Sequence, residues 1–506
     1  MRTIAHPLFW ALLALLGCTD ERASSADPGS THATDVEGVA TPETGSDASP
    51  GDAPEPPPPA ACGFRRAEDT DPDPKVVSVE LEVAAAMWDA GTGQPIHGMA
   101  YNGTVPGPLI EANVGDTVRV RVRNRLAEET TIHWHGMRVP NAMDGTPPHT
   151  PTIPAGGEFT YEFAARDPGT YWYHPHVHTA EQVERGLQAP LWVRAANEPP
   201  VDCEMPLVLD DVLLAADGTI APTPDGAQDS RLGNHLLANG VVMESRSVSP
   251  GAPVVLRLVN AANSRYFDLE LSQGPFRVLG SEGGFVAPYD VDHLVLGPGE
   301  RYVVGFVPTG APGDTVVLRT RPFPLDAPGS MGGAPDPLGD TEIRALATFT
   351  LTGEPQAHVL PAFPVEPVPD WSPDPEPRHT WIVDARMSMA GGTHEMSFTL
   401  DGESWPDVPL VTLPKGEIVT LGVRNTGTMM QMHHPFHLHG ERFVLVAVNG
   451  VPVERRMWKD TFDLPPDAEL VFMGEMSNPG TWMLHCHILE HAEGGMMAHY
   501  RIGPER

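Results

Sequence analysis

The sequence predicts an all-β protein of three Greek-key β-sandwich domains. Three observations carry this. First, apolar and polar residues alternate in short runs such as "TVRVRVRN" (117–124), bounded by Gly and Pro, which is the period of half-buried strands. Second, the chain repeats itself: "PLIEANVGDTVRVRVRN" (108–124) parallels "PLVTLPKGEIVTLGVRN" (409–425), and "PGTYWYHPH" (168–176) parallels "PGTWMLHCH" (479–487). A weaker third copy lies between them, "VSPGAPVVLRLVNAANSRYF" (248–267) followed by "GPGERYVVGFVP" (297–308). Third, 506 residues with 50 Gly and 56 Pro suit three sandwiches of ordinary domain size, and no long helix is expected.

The elements follow in chain order. Arg2 precedes an apolar run, "PLFWALLALLGC", ending at Cys18. It is too short for a spanning helix and reads as a lipoprotein signal over residues 1–18, with Cys18 as the lipid-bearing residue. An ordinary signal peptide with a coincidental Cys is the alternative. Residues 19–75 read as a disordered tether, because 19–60 is dominated by Pro, Ala, Ser, Thr, Gly and acidic residues. Domain 1 is expected over 76–197 and domain 2 over 198–353, with "AANEPPVDCEMP" (195–206) as the first connection. A Pro-rich linker spans 354–379, and domain 3 spans 380–506.

The chemistry concentrates in four short segments. "GTWMLHCHILEHAEGGMM" (480–497) places Cys486 between His485 and His487, with His491 and Met496 beyond. On a strand, Cys486 points one way and its two neighbours the other. One stretch then serves two metal sites. A thiolate, imidazoles and a weak axial Met make a blue-copper electron-transfer site. Cys486, His491 and Met496 supply three such ligands, and a further His comes from "MHHPFHLHGERF" (432–443). There His434 lies before His437 and His439 across a Pro-containing bend. The spacing of two that joins His437 and His439 recurs at His133/His135 and His174/His176, and again at His485/His487. A single H-x-H pair is usually structural. Four together leave eight imidazoles, which suit three further coppers, two held by three His and one by two.

These four segments resemble the copper-binding signatures of the multicopper oxidases, the laccase-like family, and within it the bacterial three-domain members. The resemblance covers residues 76 to 503 and implies cupredoxin-like domains with four copper ions. It implies a mononuclear blue copper on His434, Cys486 and His491 with Met496 axial. The type 2 copper would take His133 and His437. The paired type 3 coppers would take His135, His174, His176, His439, His485 and His487. No ligand position of the pattern is missing. A reducing substrate would give electrons singly to the blue site. They would pass through Cys486 to His485 and His487 and reduce dioxygen to water.

Dioxygen reduction consumes protons, so a carboxylate is expected near the cluster. Asp144, in "NAMDGTPPH" (141–149), matches an Asp used this way in bacterial relatives; an Asp-Gly turn residue is the bland reading. Relatives often have Glu directly after the last blue-site His. Here Ala492 stands there and Glu493 follows as the candidate substitute, with Glu490 facing the surface.

The reductant expected first is a phenol or aromatic amine. The alternative is a metal ion, Cu(I), Fe(II) or Mn(II). Met429, Met430 and Met432 beside His434, and three more in "RMSMAGGTHEM" (386–396), motivate that alternative, against a core-packing role. A copper nitrite reductase lacks the paired histidines, and a non-enzymatic scaffold would have lost ligands. Of four cysteines, Cys62 and Cys203 remain, either as a disulfide suited to an exported protein or as two free thiols. A net charge of −35 with only three lysines argues against nucleic acid as a partner. The expected location is the cell envelope, with membrane contact only through the anchor at Cys18, and the expected state is a monomer.

Overall fold

A computed structural model of the protein describes residues 62–222, 230–325, 336–339, 341–374, 376–390, 393–427 and 431–503, the side chains of 387–390 and 393–395 excepted. The predicted signal at Cys18 and the tether up to residue 61 lie outside the described residues, as do Met429 and Met430.

Six sheets pair into three sandwiches, each around its own apolar core. The repeats seen in the sequence are repeats of topology. In each copy the opening strand pairs in parallel with a strand of the same sheet. The registers are Val76↔Thr117, Cys203↔Val254 and His379↔Leu421. The alternation read in "TVRVRVRN" is real: Val118, Val120 and Val122 are fully buried. Each such burial stabilises by roughly 1.5–3 kcal/mol. The arginines between them face solvent and pair across the sheet, Arg119 with Glu162 and Arg121 with Glu158.

The second sheets of the first and third sandwiches have one strand order. In the first it is Ile110–Asn113, Ala189–Arg194, Gly169–His174, His133–His135. In the third it is Val411–Leu413, Met497–Ile502, Gly480–Cys486, His434–Leu438, with Thr461–Leu464 added at the edge. Every predicted histidine pair therefore sits on, or just past the end of, a strand in one of these two sheets. The described helices at those ends are single turns, Thr179–Glu184 and Leu489–Glu493. No helix among the described residues is long and apolar enough to cross a membrane.

Three expectations are refined. Residues 62–74, assigned to the tether on composition, are anchored: Ala67 N–H donates to Leu109 C=O, Leu109 N–H to Arg65 C=O, and Cys62 forms a disulfide with Cys203. Among its described residues the linker 354–379 has no regular strand until His379, which opens the strand His379–Ala390, but it is packed, with Phe363 stacked on Phe285 and Trp458 donating to Pro367 C=O. There is no bend at Pro435: the strand His434–Leu438 runs through it.

Candidate metal centre

Strand parity sorts the ligands. His437 lies opposite His485, and Phe436 opposite Cys486, across one antiparallel ladder. Opposed residues share a face, and the face alternates along the strand. His437 and His485 thus point to one side of the sheet. Cys486 points to the other, together with Phe436 and His434. His434 reaches the thiol side because it is three residues from His437 on a continuous strand, an odd spacing.

On that side Cys486 Sγ lies 3.6 Å from His434 Nδ1 and 3.5 Å from His491 Nδ1, and the two imidazole nitrogens are 3.2 Å apart. All three side chains are buried, as is Met496, whose C=O accepts from Cys486 N–H. Burial pushes the Cys486 thiol up, and burial together with His491 holds His434 well below the ordinary imidazole value. Phe398 stacks on His491.

On the opposite side eight imidazoles from two domains converge. Their ligand atoms form three groups, each with all atoms within 4.8 Å: His133, His135 and His437; His135, His174 and His487; and His176, His439 and His485. Each group joins the first domain to the third. The ring nitrogens turned outward are held by backbone carbonyls and carboxylates. His174 Nδ1 lies 2.9 Å from Pro175 C=O, and His485 Nδ1 2.8 Å from Cys486 C=O. His133 Nδ1 lies 2.8 Å from Asp144 C=O.

The inward nitrogens tell the rest. His133 Nε2, His135 Nδ1, His174 Nε2, His437 Nε2 and both nitrogens of His487 are buried without a hydrogen-bond partner. A buried polar atom left unpaired costs about 1–3 kcal/mol, so six in one cluster call for partners of their own. Burial holds His135, His174, His437, His439, His485 and His487 below the ordinary imidazole value, and His176 near 3. These rings stay neutral with lone pairs available, the form a metal needs. Imidazoles with one thiolate and one thioether are a donor set that fits copper.

Asp144 is brought to the cluster. Its Oδ2 accepts from His439 Nδ1 at 2.9 Å and from the Thr146 hydroxyl at 2.9 Å, and its Oδ1 lies 3.4 Å from His133 Nδ1. Burial alone would raise its pKa, but His439 and His133 hold it well below the usual carboxylate range. Glu493 is not brought there. It is exposed, and its Oε1 accepts from Ala180 N–H at the start of the helix Thr179–Glu184. Glu490, expected at the surface, instead bonds Asn263 and Ser264. Ala492 is buried.

Sequence reasoning missed Asp460 and Arg301. Asp460 Oδ1 lies 3.2 Å from both His135 Nε2 and His437 Nδ1, and Arg301 from the middle domain grips both its oxygens at 2.7 and 2.6 Å. The only available signal was the "GPGER" turn in a copy that has no histidine pair.

Three family models described as multicopper oxidase match residues 82–198, 169–314 and 378–506. The chain belongs to the multicopper oxidase family. It is 32% identical to a multicopper oxidase of Mycobacterium tuberculosis, over 83% of this chain and 86% of that one. Among solved structures it is similar to a multicopper oxidase from Campylobacter jejuni described as a metallo-oxidase. There the TM-score is 0.74 and the identity 27%, over 87% of this chain and 94% of that one. It is equally similar to a laccase from Pediococcus acidilactici, with TM-score 0.74 and 28% identity over 87% and 93% of the two chains. As a multicopper oxidase the protein is an oxidoreductase that uses copper and couples oxidation of a reductant to reduction of dioxygen.

Proposed function

We propose that this multicopper oxidase is laccase-like and takes electrons one at a time from phenols or aromatic amines. Four coppers are assigned to it. The blue copper sits on His434, Cys486, His491 and Met496, and the type 2 copper on His133 and His437. The type 3 pair sits on His135, His174 and His487, and on His176, His439 and His485. When bound, copper accepts single electrons at the Cys486 site and reduces dioxygen by four electrons at the histidine cluster.

One observation carries this reading: Cys486 is joined by peptide bonds to two imidazoles that face the other side of the sheet. The backbone on either side of Cys486 is a covalent route from one centre to the other. His485 Nδ1 also lies against the C=O of Cys486 at 2.8 Å, which adds a second, shorter route. Asp144 serves the proton side. It touches one histidine of each kind in the cluster, His133 and His439, and its Thr146 contact lets a proton be handed on. Glu493 is left out of the machinery because its carboxylate caps a helix instead.

The aromatic reductant is favoured by what surrounds His434. Tyr266 and Phe323 pack against His433, the residue before it, with Phe323 stacked on Tyr266 at 4.8 Å and 5.0 Å from His433. Phe323 is half-buried. Met432, offered for a Cu(I) site, is fully buried in the third core. Metal oxidation is the second reading, supported by the likeness to the Campylobacter jejuni metallo-oxidase. Turnover of a methoxyphenol and of Cu(I) under oxygen decides between them. Faster Cu(I) oxidation that falls on Met432→Leu contradicts the aromatic reading.

We assign the cupredoxin domains to 76–197, 198–353 and 380–506, with 354–379 joining the last two. We further assign the protein to the cell envelope, anchored by lipid at Cys18, on the strength of the "LLGC" segment.

A further inference from the structure

The middle domain gives the cluster no histidine, yet its "GPGER" turn (297–301) touches it. A Cβ built on Gly299 would lie 2.9 Å from the His487 ring and 3.2 Å from His135, and its φ of +81° is itself a glycine conformation. Two residues on, Arg301 is completely buried. Its Nε donates to Thr170 C=O of the first domain at 3.0 Å, and its Nη1 to Gly299 C=O at 3.1 Å. Its two Nη atoms then hold Asp460 of the third domain as a fork. All three domains meet at this guanidinium.

Asp460 faces two ligating rings. His135 Nε2 and His437 Nδ1 each lie 3.2 Å from its Oδ1, and the Thr461 hydroxyl, which donates to the same oxygen at 2.9 Å, sits 3.0 Å from His135 Nε2. A carboxylate only accepts, so the ring nitrogen facing it carries the hydrogen and the other keeps its lone pair. The other nitrogens are His135 Nδ1 and His437 Nε2, both buried without a partner. His135 therefore presents Nδ1 where His133, His174 and His437 present Nε2. The backbone at Asp460 is fixed as well: Glu282 Oε2 accepts from Asp460 N–H at 2.7 Å and Thr461 N–H at 3.1 Å. Lys459 bridges Glu282 and Glu300 at 2.9 and 2.8 Å. Gly136, which follows His135, leaves room for the pair: a Cβ there would fall on Arg301 Nη2 and Asp460 Oδ2.

We propose that Arg301 is a positioning residue for the histidine cluster: by gripping Asp460 it fixes which nitrogen of His135 faces the metal, whereas His437 Nδ1 is also held by Asp460 C=O at 3.1 Å. This rests on the ligand assignment proposed above. The middle domain is then part of the site, and its role is to set the tautomer of His135. A lysine cannot replace the fork, since a point charge does not hold both carboxylate oxygens in one plane.

The test compares wild type with Arg301→Lys and Arg301→Gln, all copper-loaded. Three readouts are taken: copper per chain after dialysis against a chelator, blue absorption, and the electron paramagnetic resonance of the type 2 copper. Arg301→Lys retains the buried charge and carries the test if Arg301→Gln does not fold. The expected result is unchanged blue absorption, an altered type 2 hyperfine splitting, and about 10–100-fold weaker retention of copper by the cluster. Arg257→Gln is the control. This equally buried arginine of the same domain pairs with Glu204 and Glu198 away from the cluster, and its loss should leave the type 2 signal unchanged. Type 2 signals and copper retention identical in wild type and Arg301→Lys overturn this inference alone. Wild type without a type 2 signal overturns the ligand assignment and this inference with it.

Discussion

Asp144 Oδ2 accepts a hydrogen bond from His439 Nδ1 at 2.9 Å, across the boundary between the first and third domains. The same carboxylate lies against His133. One side chain therefore orients a ring from each of two domains and places a proton-accepting carboxylate against the cluster. Asp144→Asn keeps the shape and removes the charge. It is expected to cut oxygen consumption by about 10–100-fold while leaving blue absorption intact. An oxygen electrode with a phenolic reductant over several pH values checks this, and an unchanged rate throughout contradicts it.

Glu493 provides the contrast. Its side chain is exposed and spent on Ala180 N–H, so Glu493→Gln should leave turnover within about twofold of wild type. The stability cost should be well under about 1 kcal/mol, because the Gln amide oxygen still accepts from Ala180 N–H. A tenfold loss of turnover returns Glu493 to the proton route.

The metal-free protein should lose stability on mild acidification. Burial keeps His135, His174, His176, His434, His437, His439, His485 and His487 neutral when folded. In the unfolded chain each takes a proton below about pH 6.5. The unfolded state then binds more protons, and stability falls as pH falls from about 6.5 towards 4. Glu184, Glu282 and Glu441 act the other way. Burial raises each to about 7, so the folded state keeps protons that the unfolded state gives up above 4.5. Their contribution falls as pH rises from 4.5 to 7. The imidazoles outnumber them, so Tm of chelated protein should be lower at pH 5 than at pH 7 by calorimetry. A higher Tm at pH 5 contradicts the neutral cluster.

The Cys62–Cys203 disulfide spans a sequence separation of 141 and ties the residues before the first strand to the opening strand of the middle domain. A loop of that length gives up to about 5 kcal/mol on the chain-entropy model. Cys62→Ser with Cys203→Ser should lower Tm while the blue absorption of the folded protein is unchanged. Equal Tm for oxidised wild type and the double variant contradicts a stabilising role.

The histidines that the fold brings together were legible because strand periodicity is local: residues two apart share a face, whatever the rest of the chain does. The repeats were legible for the same reason, and they located the cluster between the first and third domains. His434 does lie with Cys486 and His491, but not for the reason expected. An odd spacing along an unbroken strand, and not a bend at Pro435, turns His434 to the thiol side. What could not be read depends on which charged residues the fold buries. Arg301, Asp460 and Glu282 look like ordinary surface charges in sequence, and only the meeting of three domains brings them together behind His135. Glu493 failed in the same way: a position one residue beyond the expected one places the carboxylate on a helix end.

The central claim is that electrons reach the histidine cluster through Cys486. Cys486→Ser, loaded with copper and mixed anaerobically with a phenolic reductant, tests it most directly by the type 2 resonance. The signal should persist in the variant and disappear in wild type, with copper at the cluster retained in both. Disappearance at the same rate in both proteins would show that the sulfur is not the route.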